Sequence, residues 1–158
     1  MVVDPAQRAR SVRDFLLGDH ERLEALFVAT LDEFRAGDPD EVRRMWSRFE
    51  KGLLGHFAAE ERHLLPLYDQ AQPGEAAALL AEHAAFRRIL EELGVGVDLH
   101  VVKLAVAQGL IDGLRAHARR EDHLLYLWAE RELEGSRQKA VARELGGSEQ
   151  DPPGPQDP

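Results

Sequence analysis

The sequence contains no cysteine. That removes disulfides, thiolate nucleophiles, iron–sulfur clusters and cysteine-held zinc from consideration, so any metal must be held by nitrogen and oxygen. Long apolar runs are also missing, and none approaches the roughly 20 residues that cross a bilayer. A membrane is therefore not an expected partner. There is no basic run either. The formal net charge is −9, and phosphate contacts need clustered Lys and Arg, so nucleic acid is not an expected partner. Strand signals are nearly lacking, apart from a short Val95–Val102 stretch. The first residues, Met1–Ser11, carry no apolar stretch of the secretory type, and the expected location is the cytoplasm.

What is present is helical periodicity, in a chain of 158 residues, enough for one domain with a sizeable core. Four long helices are predicted. The first covers Gln7–Ala36 and stops at Gly37-Asp38-Pro39. The second covers Pro39–Gln70, with Asp38 as N-cap, Pro39 in the first helical position and Glu41 completing a capping box. Pro66 should kink or end it. The third covers Glu75–Leu93 and breaks at Gly94–Asp98. The fourth covers Leu99–Leu133 with a frayed continuation to Leu145, its apolar stripe including Leu110, Leu114, Leu124 and Leu127/Trp128. The expected fold class is all-α, an up-down-up-down four-helix bundle over residues 1–145. The Pro- and Gly-rich tail, 146–158, is expected to be disordered.

Two segments repeat a pattern. His56-Phe-Ala-Ala-Glu60 and His117-Ala-Arg-Arg-Glu121 are both H-x-x-x-E. Residues four apart share one helical face, about 6 Å apart along the axis, so both side chains can reach one ion or two adjacent ions. A single such pair is a common surface feature; here the flanking apolar residues turn both pairs inward. The first helix places His20 between Leu16 and Leu23, and the third places His83 between Leu79 and Phe86.

Depth sharpens the argument. In an up-down bundle, residues equidistant from a turn lie at one height. His20 and His56 centre on position 38, and Glu60 with His83 centre near 71–72, both in predicted turns. His83 and His117 centre on 100, a few residues past the predicted third break. One histidine per helix and two glutamates thus converge on one layer. Burying four imidazoles and two carboxylates without partners would be costly, and a metal site resolves that cost. Six ligands suit two ions better than one, with carboxylates bridging. Imidazole and carboxylate suit iron, zinc, manganese or copper, and residue types alone do not choose among them. A ferritin-like pattern would need two inward E-x-x-H motifs, and only Glu60…His63 qualifies.

The order H…H-x-x-x-E…H…H-x-x-x-E resembles the hemerythrin-like, HHE cation-binding family. Asp19-His20 with Leu23-Glu24, the segment His56 to Pro66, and Glu82-His83 with Arg87-Arg88 carry the local likeness, over about residues 10–133. The resemblance implies two iron ions bridged by Glu60 and Glu121, with an oxo or hydroxo group between them. His20 and His56 would bind one iron, His83 and His117 the other. Oxygen-carrying members have a further histidine four residues after the third-helix ligand, where this chain has Arg87. That leaves one iron with an open position, or with a substitute such as Glu24, Glu61, His63 or a tyrosine. It favours a site that binds or reacts with a small diatomic or peroxide ligand (oxygen, hydrogen peroxide or nitric oxide), with a catalase- or peroxidase-like activity as one form. The alternatives are a non-catalytic module that senses or stores iron or oxygen, and a structural zinc bundle.

Other residues carry narrower expectations. Gly52 and Gly113 each precede a ligand histidine by four residues, and either open a small-molecule pocket or let helices pack closely. His63 is expected in the core or beside a ligand, and His123 is expected to be exposed. Trp46, Trp128 and Phe49 are expected in the core.

Overall fold

A computed structural model describes residues 10–147. The expected disordered tail falls almost wholly beyond them, and so do the first residues of the predicted first helix. The described residues contain seven helices and no strand: α1 Val12–Ala36, α2 Pro39–His63, α3 Leu65–Ala71, α4 Pro73–Asp98, α5 Leu104–His123, α6 Leu125–Glu132 and α7 Gly135–Gly147. The four long helices pack as a ring of neighbours, α1 on α2, α2 on α4, α4 on α5, and α5 back on α1. No helix among the described residues is long and apolar enough to cross a membrane.

Local chemistry sets the ends. Ser11 caps α1 in a reciprocal capping box with Asp14, and Gly37 ends the helix in the left-handed region at φ 85°. Asp38 caps α2 by accepting from the Asp40 and Glu41 amides. The predicted return bond from Glu41 does not form, because its carboxylate pairs with Arg44 instead.

The second predicted helix is divided at Leu64. Pro66 has no N–H for the carbonyl four residues back, so the hydrogen-bond ladder cannot continue and α3 restarts at Leu65. The third helix runs through Gly94 and Gly96 to Asp98, past its predicted end. Two glycines cost about 2 kcal/mol of helix propensity, but the turns they interrupt bury Leu93 and Val97 in the core. The helix ends in a Schellman motif: the His100 amide bonds Val97 O, the Val101 amide bonds Gly96 O, and His100 takes the left-handed conformation at φ 57°. The true connection is therefore 99–103, and position 100, the centre of the His83–His117 pair, lies inside it. The poor fit of that pair to the depth argument came from misplacing the turn.

The predicted fourth helix breaks at Leu124, with no proline nearby to announce it. The break changes which face is inward. Leu124 and Leu127, expected in the core, are exposed, while Leu125, Tyr126 and Ala129 are fully buried. Beyond Leu133 the chain forms a separate packed helix, not a frayed extension. α7 lies against α1 and α2 and buries Val141 and Leu145.

The apolar core is in two clusters. One gathers Leu23, Phe27, Phe49, Phe57, Leu90 and Ile111 with their neighbours, including Trp46. The other gathers Leu16, Leu65, Leu79, Leu125 and Tyr126 with α7, and Trp128 packs at its edge. Along α1, His20 falls between Leu16 of one cluster and Leu23 of the other; along α4, His83 falls between Leu79 and Phe86. A polar layer thus separates two hydrophobic ones.

Candidate metal centre

All six residues singled out in the sequence meet in that layer. His56, Glu60, His83, His117 and Glu121 are buried, and His20 nearly so. Their ligand atoms form two groups that share both carboxylates: His20, His56, Glu60 and Glu121, and Glu60, His83, His117 and Glu121. Within each group the atoms lie within 4.8 Å of one another. His20 Nε2 and His56 Nε2 are 3.1 Å apart, as are His83 Nε2 and His117 Nε2. Oε2 of Glu60 and Oε1 of Glu121 are buried and accept no hydrogen bond. Imidazole nitrogens lie 2.8–3.5 Å from these oxygens without the alignment of one. Inward-facing nitrogens and orphaned carboxylate oxygens are a donor set suited to cations.

The other ring nitrogen of every histidine is held by a carboxylate from a neighbouring helix. Asp19 of α1 accepts from His56 Nδ1 at 2.7 Å, and Glu61 of α2 from His83 Nδ1 at 2.9 Å. Glu82 of α4 accepts from His117 Nδ1 at 2.5 Å, and Asp122, at the end of α5, from His20 Nδ1 at 3.1 Å. The four bonds close a ring around the bundle, each helix passing a carboxylate to the histidine of the next. In the neutral ring each bond places the proton on Nδ1, so that Nε2 faces the centre with its lone pair whenever a cation displaces the second proton. Three of the carboxylates are themselves held by arginine: Asp19 by Arg22, Glu61 by Arg87 and Glu82 by Arg120. Asp122 has no arginine partner among the described residues.

Without a cation, protons balance the charge. Burial opposes a charge on His83, but the Glu121 and Glu60 carboxylates outweigh it and raise its pKa to about 9. Burial is likewise outweighed at His20 by Asp122 and Glu121, at His56, strongly, by Glu60 and Asp19, and at His117 by Glu121 and Glu82, so all three are raised. Burial pushes Glu121 up, yet His117, His20 and His83 together hold it well below the usual carboxylate range. Six ionisable groups thus face one another in a layer nearly closed to water. A cation would replace the protons.

The hemerythrin HHE cation-binding domain model matches residues 11–141. The chain belongs to the hemerythrin HHE cation-binding family. Comparison with curated proteins and with solved structures gave no match. Family membership and the histidine–glutamate cluster together support metal binding.

Where oxygen-carrying hemerythrins would have a fifth histidine, Arg87 turns away from the centre. It forks onto Glu61 at 2.8 and 3.0 Å, and its guanidinium lies 5.5 Å from the Phe57 ring, which stacks on His83. Of the named substitutes, Glu24 pairs with Arg115, Glu61 holds His83, and His63 bonds Glu144 of α7. None of these enters the centre. Tyr126 does, with its hydroxyl within 3.3 Å of four of the six residues. Spacing alone hides it: five residues after Glu121, an unbroken helix would carry it about 140° off the ligand face, and the break at Leu124 brings it back. His123 is exposed, as expected.

A small apolar cavity of about 50 Å³ borders the centre at His20 and His117, walled by side chains such as Phe27, Phe49, Leu53 and Leu114, with Glu24 also on its lining. The two inner glycines do not line it. A Cβ on Gly52 would lie 3.0 Å from Leu23 Cδ2, and one on Gly113 would lie 3.2 Å from Phe86 Cε1. Of their two predicted roles, close helix packing is the one observed.

Proposed function

We propose that this protein holds two iron ions between its helices and uses the pair to bind or react with a small oxidant such as oxygen, hydrogen peroxide or nitric oxide. The observation that carries this reading is the sharing of Glu60 and Glu121 between two histidine pairs. Two carboxylates common to both groups, each with a buried oxygen lacking a hydrogen bond, fit a bridged pair of cations better than a single one. His20 and His56 would hold one ion, His83 and His117 the other. Bound iron would supply an open coordination position and electrons for the oxidant.

The chain's own residues do the rest. The Nδ1–carboxylate ring fixes the imidazoles so that Nε2 faces inward before any metal arrives, which limits reorganisation on binding. The apolar cavity beside His20 and His117 has room for a ligand of a few atoms and favours an uncharged one. In the same reading, α1, α2, α4 and α5 form an up-down-up-down bundle with α3 and α6 as bent extensions, the described residues make one hemerythrin-like domain, and the protein works in the cytoplasm.

The test is metal content and visible spectrum of protein purified from iron-replete cells, beside a His56→Ala/His117→Ala double variant. About two irons per chain, with charge-transfer bands that vanish in the variant, is the expected result. Turnover of peroxide would then distinguish an enzyme from a sensing or storage module. A colourless zinc protein, or a metal-free one whose stability the double variant leaves unchanged, would overturn the oxidant chemistry.

A further inference from the structure

Tyr126 is fully buried in α6, and its hydroxyl contacts all four members of one ligand group. It lies 2.8 Å from His20 Nε2, 3.2 Å from His56 Nε2, 2.5 Å from Glu60 Oε1 and 3.3 Å from Glu121 Oε2. A phenol carries one proton and donates one hydrogen bond. Asp122 and Asp19 hold the protons of the two imidazoles on Nδ1, so in the neutral rings both Nε2 atoms present lone pairs. The hydroxyl donates to Glu60 Oε1, and its oxygen lies within 3.2 Å of both Nε2 atoms, whose lone pairs become available to a cation once it displaces the imidazole protons. A cation among these atoms turns every one of those contacts favourable.

Among the described residues, the other half of the centre has no such group. His83 is stacked on Phe57 at 4.0 Å between ring centroids, and His117 meets the edge of Phe86 at 5.3 Å. Arg87, where the oxygen carriers would add a ligand, is committed to Glu61.

We infer that the Tyr126 hydroxyl oxygen is a direct ligand of the ion held by His20 and His56, making the centre asymmetric and leaving the His83/His117 ion as the open one. Ligation releases the phenol proton to solvent, as it does for any protonated donor. The inference rests on the di-iron reading above but is separable from it.

The full chain, loaded with iron and oxidised, tests it through the visible spectrum and resonance Raman scattering excited within the visible band. The expected result is a tyrosinate-to-iron charge-transfer band with tyrosinate ring modes. Tyr126→Phe should lose both while keeping about two irons per chain. The chain's other tyrosine, Tyr68, packs against Trp128, and Tyr68→Phe should keep both. If Tyr126→Phe does not fold, the Raman spectrum of the unaltered chain decides by itself. Iron-loaded protein without tyrosinate modes, or a band that survives Tyr126→Phe, overturns the inference alone. A chain that takes up no metal overturns the di-iron reading with it.

Discussion

Replacing the carboxylates that hold the histidines should weaken metal binding in proportion to their burial. Asp19→Asn and Glu61→Gln each remove one negative charge from an Nδ1 partner and leave the ligands in place. Loss of such a partner typically weakens metal binding about 10- to 100-fold, or about 1.4–2.8 kcal/mol. Asp19 lies at the buried end of the scale. Its side chain is 5% exposed, and it bonds a histidine that is 1% exposed at 2.7 Å. Glu61 is 27% exposed, so water screens its charge and takes over part of its hydrogen bonding. Asp19→Asn should therefore approach 100-fold, and Glu61→Gln should stay near 10-fold. The assay is competition for ferrous iron against a chelator, with urea unfolding of the metal-free variants run alongside to separate binding from folding. Equal and small losses in both variants, with folding intact, would refute the idea that these carboxylates orient and strengthen the ligands.

Other predictions concern stability. The metal-free protein should lose stability as pH rises. With His83 at about 9 when folded against an ordinary 6.5, its contribution is complete below pH 6.5 and lost as pH passes 9, a change of about 3 kcal/mol. Urea titrations at pH 6.5 and 9 that give equal midpoints would contradict this. Gly52→Leu should cost about 1–3 kcal/mol through overpacking against Leu23, and a thermal melt no lower than that of the unaltered chain would show that α1 and α2 yield easily there. Leu145→Ala should cost about 2–5 kcal/mol, since Leu145 is 4% exposed in the second core cluster; an unchanged urea midpoint would mean that α7 adds nothing to the fold.

Much of this molecule is set by local rules that act within one helix. Residues four apart share a face whatever the helix packs against, so the pairs His56/Glu60 and His117/Glu121, and the inward placement of His20 and His83 among apolar neighbours, follow from spacing. Pro39, Gly37 and Asp38 mark a helix boundary because their backbone chemistry permits little else there. The all-α class follows from the same periodicity. Other features depend on contacts between helices. Gly94 and Gly96 argue for a break that the burial of Leu93 and Val97 overrides. The break at Leu124 has no local signature, yet it decides that Tyr126, not Leu124, faces the centre. The ring of carboxylates was half visible, since Asp19, Glu61, Glu82 and Asp122 each adjoin a ligand in the chain. An adjacent residue points about 100° around the helix, and which neighbour it meets there is fixed only by the packing of four helices. The sequence determined which atoms are available to a metal; the tertiary structure decided which of them converge and what holds each one in place.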